Sequence, residues 1–331
     1  MTGRVPDESS ERRLYELRRE AERTGRVEGE GIRPAGAPFP AATSENGYYG
    51  LPLLKTPTWT WEVPLYFFVG GAAGAAATIA SAAAITRGSG HVVREGRRIA
   101  LVGALVSLPL LISDLGRPAR FLNMLRVFKR QSPMSVGVWT LVAFSTSATA
   151  AVLSDELRNH GRGGAPIRAI GTLSGLIAGA TGAMMSVYTG VLLGATVVPV
   201  WSRNIAILPV HFAASSLGSA SSILEMRVGR NRALGVLATI SAVLETGLAL
   251  MPLIAKKVAT RAPVLTRSDR ASRMLFAAEV LSGPVVLSLR SVGSSRARRL
   301  AGLCAIAGSL LTRYGWVEAG RESVREQGAG L

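Results

Sequence analysis

"IALVGALVSLPLLISDLGRPARFLNMLRVFKRQSPMSVGVW", residues 99–139, runs apolar for fourteen residues from Ile99 to Ile112. It then places Asp114 and five basic side chains, Arg117, Arg120, Arg126, Lys129 and Arg130, ahead of a second stretch rich in Val, Leu, Ala and Phe. Charge confined to a short island between two greasy segments is the pattern of consecutive membrane spans joined by a polar loop, because hydrocarbon does not solvate ions. The rest of the chain repeats the pattern. It has 331 residues, 48% of them hydrophobic, with a positive mean hydropathy of +0.30. Eight segments, 64–86, 97–113, 135–154, 167–193, 204–226, 232–255, 271–290 and 297–315, come close to the roughly 20 residues that cross about 30 Å of hydrocarbon. The expected fold class is all-α, a polytopic membrane protein of eight transmembrane helices. Their even number puts both chain ends on one side.

The net charge of +17, from 38 Lys and Arg against 21 Asp and Glu, would suggest a nucleic-acid partner in a soluble protein. Here the basic residues lie mostly in the connections, where they meet the headgroups of the lipid bilayer, so no nucleic acid is expected. The single cysteine, Cys304, falls in an apolar segment and excludes a disulfide or a thiolate set for an iron–sulfur cluster. Three regions follow: a polar N-terminal tail, 1–57; a transmembrane domain, 58–317; and a polar C-terminal tail, 318–331. In the first, "ERRLYELRREAER" (11–23) reads as a short polar helix, and "GIRPAGAPFPAATSENGYYGLP" (31–52) as extended chain. No apolar signal segment opens the sequence. Connections on the two faces are nearly equally basic, so the positive-inside count does not orient the chain; the long charged tail favours the cytoplasmic side.

Small residues in "GGAAGAAA" (70–77) and at Gly171, Gly175 and Gly179 recur on single helix faces and predict close backbone packing. Ionisable groups inside spans are costly, and each is a functional hypothesis. Glu62 stands at the mouth of the first span, His211 about two turns into the fifth, Glu245 near the middle of the sixth and Glu279 about two turns into the seventh. Asp114 ends the second span and Tyr188 lies late in the fourth. By span direction these groups collect in the half of the membrane nearest the N-terminal tail, with Glu245 near mid-membrane. Each also has a structural reading: a protonated Glu245 or Glu279 bonded to a neighbouring carbonyl, His211 as an interhelical hydrogen-bonder, Asp114 paired with Arg117 or Arg120.

Of the three histidines, His91 and His160 sit in connections. No in-membrane pair remains to hold a b-type haem, so the chain is expected to carry neither haem nor iron–sulfur cluster.

Four blocks, "TWTWEVPLYFFVGGAAGA" (58–75), "DLGRPARFLNMLRVFKRQSPMSVGVW" (114–139), "YTGVLLGATVVPVW" (188–201) and "RYGWVEAGRES" (313–323), resemble in order the signature blocks of the NrfD/PsrC family. These are the integral membrane subunits of polysulfide-reductase-like, nitrite-reductase-linked and formate-dehydrogenase-linked complexes. The resemblance implies eight helices packed as two four-helix bundles in the bacterial inner (plasma) membrane. It also implies a cofactor-free subunit that binds menaquinone or ubiquinone near one face and exchanges electrons with a four-cluster ferredoxin-like iron–sulfur subunit. That partner connects in turn to a catalytic subunit, typically a molybdenum one.

Carried onto matching blocks, the resemblance implicates Glu62, Tyr66, Asp114, Arg117 and Tyr188 in quinone binding and proton transfer. His211, Glu245 and Glu279 are candidates for a proton path, and Arg126, Lys129 and Arg130 for docking a partner or lipid. No metal ligand is expected. Two rival readings stay open: a secondary transporter, with which Glu245, Glu279 and the proline-interrupted "ATVVPVW" are compatible, and a purely structural membrane anchor.

Overall fold

The computed structural model describes residues 56–114, 119–126, 128–258 and 270–329, together with Glu16 and Arg19; the side chains of 115–120, Leu122, 251–269 and those from Glu326 onward lie outside the description. Thr56–Glu326 form one compact unit, and Met1–Lys55 with Gln327–Leu331 are assigned to another. Among the described residues all regular structure in the larger unit is helical.

The elements are α1 (Glu62–Ile85), α2 (Gly90–Asp114), α3 (Ala119–Leu125), α4 (Pro133–Asn159), α5 (Ala165–Gly194), α6 (Pro199–Arg203), α7 (Ile207–Val228), α8 (Arg232–Val258), α9 (Arg270–Val280), α10 (Val286–Ser291) and α11 (Ser295–Ala329). A π-helical turn, Leu281–Val285, joins α9 to α10 and makes them one span. Eight helical stretches are therefore long and apolar enough to cross a membrane. They pack as two four-helix bundles, α1, α2, α4 and α5 in the first, and α7, α8, α9–α10 and α11 in the second, with α1 and α5 also lying against α7.

Several helices outrun the spans expected from hydropathy, and ion pairs explain why. In α2 the charged first turns stay helical because Arg97 makes a two-pronged bond to Asp155 of α4, at 2.8 and 2.9 Å, while Glu95 takes Arg98 and, from α7, Arg227. Charges so paired can remain in the helix at the membrane boundary. In α11 the helix continues past residue 315 through polar sequence. There Gly320 lies against Trp201, and Glu322 accepts from the Ala271 N–H in the first turn of α9, where the helix dipole favours an anion.

The start of α4 is written locally. Ser132 is its N-cap, accepting from Ser135 N–H, and Pro133 takes a first-turn position where a missing N–H costs nothing.

The small-residue faces do pack closely. Gly74 and Gly182 each leave no room for a Cβ against the other's backbone, so α1 and α5 touch main chain to main chain. The structure adds a second use. Gly71 makes space for Ser216 and the Arg313 guanidinium, and Gly175 for the Arg97 guanidinium, so part of each small-residue face accommodates a charged side chain from a neighbouring helix.

Candidate functional site

Two polar assemblies lie on the side of the membrane where α1 begins and α2 ends. The outer one is built on Thr60, just before α1. Its hydroxyl contacts Glu62 Oε2 and stands 3.2 Å from Asp114 Oδ1, and its N–H donates to the same Asp114 oxygen at 3.4 Å. Two half-buried carboxylates from different spans thus converge on one exposed threonine at the helix mouth. Tyr66 lies one turn below Glu62 on the same face of α1 and is buried. Its hydroxyl makes no hydrogen bond among the described residues, although its ring packs on Phe67, 5.8 Å between centroids. Tyr188 on α5 crosses to α4: its ring fills the space left by Gly137, and its hydroxyl donates to the Pro133 carbonyl at 2.8 Å. Arg117 lies outside the described residues. Arg126, Lys129 and Arg130 are exposed between α3 and α4, beside an edge-to-face contact of Phe128 with Trp139.

The inner assembly lies within the second bundle. His211 sits one turn into α7, nearer the helix start than hydropathy placed it, because residues 204–206 form a turn and the helix begins only at Ile207. Its Nε2 is 3.1 Å from Glu245 Oε2, and Trp316 Nε1 lies 3.2 Å from its Nδ1. An indole N–H only donates, so Nδ1 is an acceptor and the ring proton sits on Nε2, aimed at Glu245. Ser282 Oγ lies 3.2 Å from the same carboxyl oxygen and 2.7 Å from the Ala278 carbonyl, with one proton to share between them. Glu245 Oε1 is buried with no hydrogen-bond partner among the described residues. Glu279, also buried, lies one turn before Ser282 within Coulombic reach of His211 and Glu245. Three of the candidates, from three spans, are therefore brought together.

The π-helical turn shapes this assembly. Pro284 has no N–H to donate, which favours the local widening. Gly283 meets the backbone of Thr246 beside Glu245, and Gly308 of α11 lies against the Ala278 carbonyl and Ser282. Ser282 is held toward Glu245 between these close approaches.

Arg313 was missed by the sequence reading. It is fully buried and donates to Ser215 Oγ (2.6 Å), Ser216 Oγ (2.8 Å) and the Phe212 carbonyl (3.0 Å), with its Cζ 4.0 Å above the Phe212 ring. It forms no ion pair among the described residues, and Glu245 is the carboxylate within Coulombic reach. Ending the eighth span at 315 puts Arg313 at a boundary; the continuing helix puts it inside. Its presence in the block 313–323 was the available signal.

Aromatic rings link the two assemblies. Trp59 stacks on Trp201, 5.3 Å between centroids and 13° between planes, and Trp201 Nε1 donates to the Trp316 carbonyl at 2.7 Å. The Trp316 indole reaches His211. At the helix mouth, Tyr314 donates to the Trp61 carbonyl at 3.0 Å and Arg321 to the Trp59 carbonyl, tying α11 to the segment that carries Thr60.

No group of three or more His, Cys, Asp or Glu among the described residues could hold a metal ion. Neither the curated proteins nor the solved structures contain a match to the chain. A family model described as polysulfide reductase, of the NrfD type, matches residues 45–327 and so spans both bundles and both assemblies. With that match over most of its length and eight helices able to cross a bilayer, the chain is a multi-pass membrane protein belonging to the polysulfide reductase (NrfD) family.

Proposed function

We propose that this chain is the quinone-interacting anchor of a respiratory oxidoreductase complex in the bacterial inner membrane. In this reading it binds menaquinone or ubiquinone as a substrate at the mouth formed by α1 and α2. An iron–sulfur partner subunit sits over that mouth and leads to a catalytic, molybdenum-type subunit. The observation that carries the reading is the convergence of Glu62 and Asp114 on Thr60, one helical turn from the buried Tyr66, whose hydroxyl makes no hydrogen bond among the described residues. A quinone head needs a donor to a carbonyl oxygen and an acid or base within proton reach. Tyr66 supplies the donor. The two carboxyls supply the proton groups, and Arg117 is the cation assigned to Asp114.

Interconversion of quinone and quinol moves two electrons and two protons. The partner subunit exchanges the electrons, and Glu62 and Asp114 exchange the protons with the aqueous face. Tyr188 already donates to Pro133, so it supports the wall of the site, and its lone pairs remain available to a quinol hydroxyl. His211, Glu245 and Glu279 form the inner end of a proton path. Arg126, Lys129 and Arg130 provide a cationic rim for an acidic partner surface or for lipid.

The test uses the assembled complex carrying Asp114→Asn, Arg117→Ala or Tyr66→Phe. Expected is loss of quinone-linked electron transfer by about 10²-fold or more for the carboxylate, the order of a lost acid–base group, with subunit composition unchanged. Full activity in all three variants would remove the assignment.

One observation favours a second reading: the π-helical interruption of the seventh span beside buried Glu245 resembles the broken helices of secondary transporters. Proton- or solute-coupled flux by the isolated chain in vesicles, without a redox partner, would select that reading.

A further inference from the structure

A large cavity lies far from either assembly. It has a volume of 980 Å³ and opens at the opposite end of the first bundle, between the start of α2, the end of α4 and the start of α5. Along α2 that end is about 36 Å from Asp114, at 1.5 Å per residue. Five arginines line it, Arg94, Arg97, Arg158, Arg162 and Arg168, against one carboxylate, Asp155. Arg97 is buried and committed: it makes both bonds to Asp155 and donates to the Gly171 carbonyl at 3.0 Å. Arg158 approaches the same carboxylate only to 3.8 Å. Arg94, Arg162 and Arg168 are exposed and have no ion pair among the described residues. One aspartate already neutralised by Arg97 leaves the other four cations uncompensated around a single concavity.

The backbone adds to this field. Gly163 and Gly164 line the cavity, and Gly164, the N-cap of the 30-residue α5, offers no capping side chain, so first-turn N–H groups and the positive end of a long helix face the same space. Gly161 adopts φ +76°, the left-handed turn that brings Arg162 back over the opening. Exposed apolar residues are the sequence neighbours of lining residues on three helices, Ile85 after Ala84, Leu157 before Arg158 and Leu173 after Thr172, so apolar surface begins within one residue of the cavity lining on each. A soluble anion has no use for that apolar border, whereas acyl chains do.

We propose that this cavity is a binding site for the phosphate headgroup of an anionic phospholipid. The arginines and the start of α5 bind the phosphate, and Leu157, Leu173 and Ile85 meet the first acyl carbons. The site secures the ends of α2, α4 and α5 on the face remote from the proposed quinone mouth, and it stands or falls independently of that reading.

The test uses the purified full-length chain in detergent, titrated separately with phosphatidylglycerol, phosphatidylcholine and inorganic phosphate. Retained lipid is read by native mass spectrometry and thermal midpoint by intrinsic fluorescence. Expected is selective retention of phosphatidylglycerol, weakened about fivefold for each charge removed in Arg168→Gln and in the pair Arg162→Gln with Arg168→Gln. These side chains are exposed and unpaired, so the variants should keep the wild-type midpoint in lipid-free detergent. Salt titration of the wild-type chain gives a check that needs no variant: retention of phosphatidylglycerol must fall as salt rises, while the weaker retention of phosphatidylcholine must stay unchanged. Equal retention of both lipids, or unchanged retention in the variants, overturns the proposal. Inorganic phosphate competing at equal concentration would make it a free-anion site. Displacement of the lipid by an oligoglutamate peptide would make it a protein-docking site.

Discussion

His211 and Glu245 meet Nε2 to Oε2 at 3.1 Å, from one turn into α7 and the middle of α8, with both side chains shut off from solvent and the second oxygen of Glu245 unpartnered among the described residues. Trp316 fixes the other ring nitrogen and so selects the tautomer that points a proton at the carboxyl group. The arrangement holds one end of a hydrogen-bond chain in defined geometry and leaves the other end with capacity for a water or a proton.

Trp316→Phe removes the donor to His211 Nδ1 while leaving the 316 carbonyl for Trp201. The expected cost is about 1 kcal/mol, typical of one interhelical hydrogen bond in a membrane protein. The more telling readout is the His211 ring in nitrogen NMR, where loss of the fixed tautomer should appear as mixed Nδ1–H and Nε2–H signals. An unchanged tautomer would show that Glu245 alone sets it.

Arg313→Ala leaves Ser215, Ser216 and the Phe212 carbonyl without their guanidinium donor and opens a cavity where a large side chain was fully buried. The expected loss is about 3 kcal/mol or more. Gly71→Ala drives its methyl group from α1 against Ser216 Oγ, one of the acceptors of that guanidinium, and should cost about 1–3 kcal/mol by overpacking. Because both changes meet at Ser216, their effects should be less than additive in a double-variant melt.

For Arg97 and Asp155, either single replacement, Arg97→Met or Asp155→Leu, strands a mostly buried charge and should lower stability by about 3–5 kcal/mol. The double variant should recover most of that loss, since two apolar side chains need no partner. Thermal midpoints of the four proteins of the cycle measure it; equal loss in the double variant would mean that the pair does not act as a unit.

Thr60→Val removes the hydroxyl between Glu62 and Asp114 at a half-exposed mouth. Stability should change by no more than about 0.5 kcal/mol. If the mouth binds quinone, quinone-linked turnover of the assembled complex should fall with little change in assembly, and KM for a short-chain quinone is the parameter to follow.

Hydropathy alone determined the number of spans, their order and the placement of Asp114 and Glu62 on the same face, because crossing hydrocarbon demands length and apolarity and both are properties of contiguous sequence. It also singled out His211, Glu245 and Glu279, since ionisable side chains inside apolar runs are conspicuous. Helix ends were less legible: α2 and α11 extend through charged sequence because Asp155, Arg227, Trp201 and Ala271, all distant in the chain, supply their partners.

Only the tertiary structure decided that Thr60 joins two carboxylates, that Tyr188 is turned toward Pro133 while the Tyr66 hydroxyl has no partner among the described residues, and that Gly71 makes room for Ser216 beside Arg313. The π-helical turn that sets Ser282 beside Glu245 was likewise invisible in the apolar run 271–290. The physical reason is common to all of these: a hydrogen bond of about 3 Å depends on how helices are rotated and stacked against one another. That rotation is set by small-residue contacts such as Gly74 on Gly182, whose partners lie 108 positions apart in the chain.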